Sequence, residues 1–148
     1  MKFLLIPDKF KGSLTSEEVA HAIQCGIEKA LPRTSFYIIK ASDGGDGFLD
    51  AIARYKPCIG IQTVGEDPLG RARLCTYLYN QEEFVAYIEL ANASGMELLS
   101  AKERNPMETS TYGTGLQIKD AIEKGARNIY VGLGGSATND GGVGIAHA

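Results

Sequence analysis

The sequence contains no tryptophan, and aromatic residues make up only 8% of its 148 positions. Its three cysteines, Cys25, Cys58 and Cys75, are far apart and form no CxxC pair. An odd, scattered set argues against a disulfide framework, so we expect reduced thiols. No segment approaches the roughly 18 apolar residues that a membrane span needs. The apolar run at the amino terminus stops at Pro7, which does not fit a signal peptide. We therefore expect a cytoplasmic protein that does not bind a membrane.

Positive charge is also sparse. Fifteen lysines and arginines against 18 aspartates and glutamates give a formal net charge of −3, and the basic residues form no stripe. Nucleic acid is therefore not an expected partner. The P-loop pattern GxxxxGK[ST] is absent, which excludes a P-loop NTPase. Glycine, by contrast, is abundant at 18 residues, well above the average of about 7%. These glycines are concentrated in a few loops, which indicates that the loops have a function.

Hydrophobic periodicity predicts an α/β fold with a β meander in its middle. Thr15 and Glu18 have the spacing of a capping box, so they predict the start of a helix, which ends at Pro32. The segments 58–65, 71–80 and 83–90 are rich in β-forming residues and are separated by short turns, so they should pair antiparallel. The other predicted elements are strands at 3–6, 36–39 and 128–133 and helices at 48–55, 114–124 and 143–148.

We divide the chain into three predicted segments. Residues 1–57 form a first α/β segment, 58–90 the β meander, and 91–148 the start of a second α/β segment. The domain to which the meander belongs stays open. The sequence ends within an apolar helical pattern that has no C-cap, and isolated short helices are marginal. We therefore expect that the chain is truncated and that the natural protein continues beyond Ala148.

Three predicted strands lead into loops rich in glycine and small polar residues. These loops are "PDKFKGS" (7–13), "DGGDG" (43–47) and "GGSATNDGG" (134–142). Ligands of open α/β sheets bind beyond the carboxyl ends of the strands. The three loops are therefore predicted to converge on one crevice.

The "GGSATNDGG" loop has the chemistry of an anion cradle. Glycines bring backbone N–H groups close to a phosphate, and the following helix contributes its positive amino terminus. The alternative is a plain turn in which Asp140 caps that helix. The candidate phosphate- and substrate-binding residues here are Gly134, Gly135, Ser136, Thr138 and Asn139, and Asp140 is a candidate catalytic carboxylate.

Charged residues in three other places complete the candidate set. Asp43 and Asp46 are three positions apart and could hold Mg²⁺ or accept a proton, although a solvated turn is the simpler alternative. Lys11 precedes the first helix and suits a phosphate as a point charge; Lys9 is expected to be solvated. Arg104 could pair with a substrate carboxylate.

Six motifs that occur in a fixed order are together a more specific signal of protein family than any one of them alone. In order they are "PDKFKGSLTSEEVA", "SDGGDGF", "DPLGR", "IELANASGMELL", "ERNPMETSTYGTG" and "GLGGSATNDGGVG". The chain resembles the N-terminal part of the bacterial glycerate kinase family related to glycerate 2-kinases, over essentially all of its length. Two motifs depart from the family pattern. Lys9 stands where the family usually has Ser, and Asp46 and Phe48 replace the Glu and Thr of DGGEGT.

The resemblance implies a two-domain α/β architecture with its active site between the domains. It also implies ATP-dependent phosphorylation of D-glycerate with Mg²⁺, usually at the 2-hydroxyl; the 3-hydroxyl stays open as the alternative. Family chains are more than twice as long, so a non-catalytic anion- or nucleotide-binding fragment is a second interpretation. The assembly, monomer or homodimer, is open. The motif positions carried over are Lys11, Asp43, Gly44, Gly45, Ser136, Thr138, Asn139 and Asp140.

From these positions we predict a division of roles. Lys11, Asp43 and Asp140 are the predicted catalytic residues, with one of the two carboxylates as the base. Asp43 and Asp46 are the predicted metal ligands. Gly44, Gly45, Arg104 and the residues of the 134–139 stretch are predicted to bind substrate and phosphate.

Overall fold

A β-α-β arrangement forms the amino-terminal part of the chain. The computed structural model describes residues 1–8, 10 and 13–148 and divides into two units, Met1–Asp43 and Gly44–Ala148. In the first unit, strand β1 (Lys2–Leu5) pairs in parallel with β2 (Ser35–Ile38). Helix α1 (Ser16–Ala30) connects them. The predicted segments 1–57, 58–90 and 91–148 stay predictions.

Helix α1 begins as its capping box predicts. The Thr15 hydroxyl accepts a hydrogen bond from the Glu18 N–H at 3.2 Å, and the Glu18 carboxylate accepts one from the Thr15 N–H at 2.8 Å. Val19 is buried, whereas Ile23 and Leu31 are 41% and 45% exposed. The apolar side chains Val19, Ile23 and Leu31 of this helix are therefore only partly covered, because a two-stranded sheet offers a helix of this length little surface.

The second unit is built on a four-stranded sheet. Its strands are β3 (Ile59–Glu66), β4 (Ala72–Asn80), β5 (Val85–Glu89) and β6 (Asn128–Gly132), in that order across the sheet. The pairs β3–β4 and β4–β5 are antiparallel, which confirms the predicted meander, and β5–β6 is parallel. The meander therefore shares one sheet with the strand that precedes the "GGSATNDGG" loop.

Five helical segments accompany this sheet. They are α2 (Phe48–Ala53), α3 (Ala91–Ser94), a 3₁₀ turn (Met96–Leu98), α4 (Tyr112–Glu123) and α5 (Val143–His147). Helix α4 crosses between the parallel strands β5 and β6, as parallel pairing requires. The short α3 and the 3₁₀ turn were not predicted, because four or three residues show no periodicity.

The core of the second unit lies between the sheet and α4. Tyr77 and Ile88 are fully buried at its centre. The Tyr77 hydroxyl donates to the Asp120 carboxylate of α4 at 2.7 Å, and burial raises the pKa of Tyr77 well above its ordinary value. The remaining buried members are Tyr79, Ala86 and Ala121, with Ile61, Ile118, Ala126, Ile129 and Val131 around them. Within the described residues, no helix has the length and apolarity needed to cross a bilayer.

Candidate functional site

The glycine loop, residues 133–142, begins at the carboxyl end of β6. Its parallel neighbour β5 ends beside it, since Glu89 pairs with Gly132 in the register. In open α/β sheets this edge is where ligands bind. The loop therefore lies at the carboxyl edge of the parallel strands, as the sequence predicted.

A second loop, residues 44–47, packs directly against the glycine loop. The Gly134 N–H donates to the Gly44 carbonyl at 3.0 Å. A Cβ at Gly132 would lie 2.6 Å from that same carbonyl oxygen, and one at Gly134 would lie 2.5 Å from the Gly45 Cα. Glycine is therefore required at 132 and 134 for the close approach of two backbones. Gly44, Gly45 and Gly134 are thus brought together as the prediction expected, through backbone contact.

The glycine loop is also supported by the segment that follows β5. The Met96 N–H donates to the Gly135 carbonyl at 2.9 Å, and the Ala137 N–H donates to the Ser94 carbonyl at 3.0 Å. The Thr109 hydroxyl donates to the Ala137 carbonyl at 2.8 Å. Hydrogen bonds therefore fix the loop backbone on both sides before any ligand binds.

Two consecutive backbone donors of the glycine loop have no acceptor among the described residues. The N–H groups of Gly134, Ala137 and Thr138 all donate within the protein. Within residues 1–8, 10 and 13–148, no acceptor is found for the N–H groups of Gly135 and Ser136. Gly135 has a φ of +73°, and successive amides in such a conformation form a concave anion site.

The Ser136 and Thr138 hydroxyls of the glycine loop line the same cavity as Arg104, the residue predicted to pair with a substrate carboxylate. A cavity of about 180 Å³ is lined by Met96, Arg104, Pro106, Ser136, Ala137 and Thr138. The Ser136 and Thr138 hydroxyls lie 2.9 Å apart and hydrogen bond to each other. The structure therefore brings together three side chains that the sequence singled out in two separate motifs.

Arg104 lies on a loop that a charge cluster anchors. The Arg71 guanidinium bonds to the Glu103 carboxylate at 2.6 Å and also to the Asp67 carboxylate. The hydrogen bonds that Glu103 accepts from Ser100 and from Arg71 lower its pKa to about 2. The "DPLGR" motif thereby holds the segment that places Arg104 beside the cavity.

Asp46 reaches the glycine loop from the 44–47 loop. A Cβ added at Gly135 would be 3.3 Å from the nearer Asp46 carboxylate oxygen. A carboxylate thus lies against the residue whose N–H is open to an anion. Mg²⁺ is usually held by one or two carboxylates together with substrate phosphates and water, and Asp46 fits that pattern. Among the described residues, no group of three or more His, Cys, Asp or Glu side chains forms a metal cage.

Asp140 is embedded in hydrogen bonds. One carboxylate oxygen accepts from the Thr111 N–H and hydroxyl, each at 2.8 Å, and from the Gly144 N–H at 3.2 Å. The other accepts from the Gly142 N–H at 3.1 Å. Burial by itself raises the pKa of Asp140, but these hydrogen bonds outweigh it and hold the pKa below its ordinary value. The carboxylate ties the start of α4 to the start of α5.

The remaining predicted site residues are Asn139, Asp43 and Lys11. Asn139 is exposed on the glycine loop. Asp43 is an exposed residue at the end of the amino-terminal unit. Lys11 lies outside the described residues, as does Lys9. The predicted roles of these residues stay predictions.

Glu89 is a residue that sequence reasoning missed. The residue is only 9% exposed, and its carboxylate accepts hydrogen bonds from the Gly47 and Leu49 N–H groups. Burial raises the pKa of Glu89, and the nearby Asp46 charge raises it further, more than the backbone hydrogen bonds lower it. The available signal was an acidic residue that ends an otherwise apolar strand, in "VAYIE".

The fold and site together define an α/β protein with a glycine-rich loop at the carboxyl edge of the parallel strands β5 and β6. The glycerate kinase family model matches residues 3–148. The chain belongs to the glycerate kinase family.

Individual relatives agree with this assignment. The chain is 38% identical to glycerate 2-kinase of Escherichia coli, over 100% of this chain and 39% of that protein. It is 39% identical to glycerate kinase of Halalkalibacterium halodurans, over 98% of this chain and 38% of that protein. A crystal structure assigned as glycerate kinase 2 from Salmonella typhimurium LT2 has a TM-score of 0.74 at 36% identity, covering 100% of this chain and 40% of that one. The chain thus spans about two fifths of the length of these relatives.

Proposed function

We propose that this chain forms part of a kinase that transfers the γ-phosphoryl group of ATP to D-glycerate and gives 2-phosphoglycerate. Membership of the glycerate kinase family supports the substrate class, and the name of the Escherichia coli relative supports the 2-hydroxyl. The single structural observation that carries the proposal is the cavity that Arg104, Ser136 and Thr138 share.

The cavity has the size and chemistry of a site for a small acid. Its volume of about 180 Å³ is below the roughly 300–1,000 Å³ typical of pockets for drug-sized ligands. A guanidinium binds a carboxylate through two parallel hydrogen bonds, and the Ser136 and Thr138 hydroxyls can bond to the substrate hydroxyls. We assign the glycerate carboxylate to Arg104.

The phosphoryl group is assigned to the backbone of the glycine loop. The Gly135 and Ser136 N–H groups, together with Lys11, are proposed to hold its oxygens, since phosphoryl transfer depends mainly on positioning and charge stabilisation. In the transfer, the substrate hydroxyl oxygen bonds to the γ-phosphorus, and the bond to the bridging oxygen of ADP breaks. The hydroxyl proton passes to a carboxylate.

Asp43 is the carboxylate that we propose as the base. The sequence left Asp43 and Asp140 as alternatives. Asp140 accepts four hydrogen bonds and has a lowered pKa, which makes it a weaker base and suits a positioning role. Asp46 is proposed to hold Mg²⁺, which would neutralise charge on the phosphates.

A direct assay tests the proposal. ADP release with D-glycerate is measured for the 148-residue chain and for the polypeptide of its natural reading frame, and ³¹P NMR identifies the product. Glycerate-dependent ADP release with a 2-phosphoglycerate signal is expected. A 3-phosphoglycerate signal would correct the regiochemistry, and no glycerate-dependent release from either protein would refute the proposal.

The second candidate is a unit that binds an anion or a nucleotide without catalysis. The observation that favours it is the coverage of about two fifths of the relatives. It predicts that calorimetry of the 148-residue chain detects ATP or glycerate binding while only the longer polypeptide releases ADP.

A further inference from the structure

Glu89 combines burial with a position at the base of two loops. It is the last residue of β5, whose five residues are all buried. It pairs with Gly132, the residue from which the glycine loop starts. A buried carboxylate is unfavourable unless hydrogen bonds satisfy it. The groups that donate hydrogen bonds to the Glu89 carboxylate therefore indicate its structural role.

The partners of Glu89 are the first backbone donors of α2. One carboxylate oxygen accepts from the Gly47 N–H at 3.1 Å and from the Leu49 N–H at 3.2 Å. Helix α2 has no side-chain cap of its own, because the residue at its N-cap is Gly47. Glu89 supplies the missing acceptor from a strand 40 residues further along the chain.

The residues just before α2 are the ones that contact the glycine loop. Gly44 accepts the Gly134 N–H, and the Asp46 carboxylate lies against Gly135. Gly44 and Gly47 have φ values of +88° and +90°, so the loop is a tight turn whose exit must be held in place. An anchor at Gly47 and Leu49 therefore fixes where Asp46 can reach.

We propose that Glu89 is a positioning residue that accepts the Gly47 and Leu49 N–H groups, locks the 44–47 loop onto the glycine loop and so places Asp46. Its effect on catalysis rests on the proposed function, whereas its effect on the loops does not. Glu89 acts through these backbone contacts and does not itself touch the substrate.

Two variants separate the hydrogen bonds from the charge. Glu89→Ala removes the acceptor, and Glu89→Gln keeps an acceptor oxygen of the same shape without the charge. Glu123→Ala, an exposed carboxylate at the end of α4, is the matched control. If Glu89→Ala does not fold, Glu89→Leu replaces it, because it keeps apolar packing and accepts no hydrogen bond.

The first readout is amide hydrogen exchange of the 148-residue chain by NMR. In Glu89→Ala we expect about tenfold faster exchange at Gly47, Leu49 and Gly134, as loss of a hydrogen bond implies. Exchange in the core strand β4 should be unchanged, and Glu89→Gln should stay within about threefold of the wild type. Wild-type exchange at Gly134, or equal acceleration throughout β4, would overturn the proposal. Equal effects of the Gln and Ala variants would overturn it too.

The second readout uses the protein that releases ADP. Glu89→Ala should lower kcat about tenfold or more and leave KM for glycerate nearly unchanged, while Glu89→Gln restores most of kcat. A loss carried by KM alone would overturn the catalytic part of the proposal. If the wild type shows no activity, the proposed function fails and the exchange experiment still decides the role of Glu89.

Discussion

Gly134 shows that space, and not backbone conformation, fixes a glycine at the centre of this site. The Gly134 N–H donates to the Gly44 carbonyl, and backbone atoms of Gly45 leave no room for a Cβ at position 134. Gly135 differs, since it has a positive φ of +73°, and we propose its N–H as part of the phosphate site. Adjacent glycines in one motif therefore serve two purposes.

Gly134→Ala should destabilise the chain because backbone atoms cannot move aside for the new methyl group. A Cβ there would lie 2.5 Å from the Gly45 N and Cα, and such overpacking costs about 1–3 kcal/mol. Urea unfolding measures the change. Gly26→Ala is the matched control, because, apart from the backbone of α1 itself and the two neighbouring residues, no atom of the described residues lies within 4 Å of its Cβ position. That control should raise the free energy of unfolding by about 0.5–1 kcal/mol. Equal effects at both positions would contradict the steric argument.

Arg104→Gln should weaken substrate binding, because Arg104 is the cation among the described residues that line the cavity. We expect KM for glycerate to rise at least about tenfold, with a smaller change in kcat. Steady-state kinetics of the active polypeptide measures both constants. Lys102→Gln, which removes a charge from an exposed position two residues away, should leave KM unchanged. An unchanged KM in Arg104→Gln would remove Arg104 from the binding role.

Two carboxylates, those of Asp140 and Glu103, hold loops and helix ends together through hydrogen bonds. Asp140 joins the starts of α4 and α5, and Glu103 joins the loop of Arg104 to the "DPLGR" turn through Arg71. Each carboxylate has a lowered pKa because hydrogen bonds stabilise its charged form. Both therefore contribute to the arrangement of the candidate site without lining the cavity.

Asp140→Ala should lower stability by about 1–2 kcal/mol, the usual effect of losing a helix cap. Asp140→Asn keeps one acceptor oxygen and should lose less. In the active polypeptide, we expect kcat of Asp140→Asn to stay within about tenfold of the wild type, because we assign proton transfer to Asp43. A loss of kcat of several orders of magnitude with unchanged stability would return Asp140 to the role of base.

The Glu103 contact should make stability depend on pH. Its folded pKa of about 2 is below the ordinary 4.5, so its stabilisation is complete above about pH 4.5 and is lost as the pH falls toward 2. Urea midpoints of the wild type and Glu103→Gln should differ most at neutral pH and converge near pH 2. Glu123→Gln serves as the control. A difference between wild type and Glu103→Gln that is constant from pH 7 to pH 2 would show that the carboxylate charge is not involved.

For the whole molecule, the two units differ in how much core each contains. The first unit pairs two strands, and Leu4, Tyr37 and Ile38 of these strands are at least 41% exposed. In the second, β4 and β5 are each flanked by strands on both sides, and Tyr77 and Ile88 are fully buried. Local stability should therefore be uneven.

Hydrogen exchange of the whole chain tests this difference. The slowest amides should lie in β4 and β5, and those of β1 and β2 should exchange at least about a hundredfold faster. NMR or mass spectrometry resolves the two sets. Ile88→Ala should lower stability by about 2–5 kcal/mol and accelerate exchange in β4 and β5 together. Equal protection in the two sheets would contradict the assignment of the main core to the second unit.

Local chemistry allowed much of the fold to be predicted from the sequence. The Thr15–Glu18 capping box, the order of strands and helices and the antiparallel meander depend on neighbouring residues and short turns, and the structure confirms them. One helix boundary was predicted less accurately: the helix predicted to start at Thr114 starts at Tyr112. Gly113 allows this early start, because a Cβ there would collide with the Glu66 carbonyl oxygen.

The type and order of the longer elements, the glycine-rich loops and the resemblance to the glycerate kinase family could all be read from the sequence, because motifs and periodicity are local. Only the tertiary structure placed Arg104 on one cavity with Ser136 and Thr138, assigned the Gly134 N–H to Gly44, and revealed Glu89 as the acceptor for α2. These contacts join residues about 30 to 90 positions apart. Sequence spacing does not encode them, because only the packed sheet brings such distant backbones within hydrogen-bond reach.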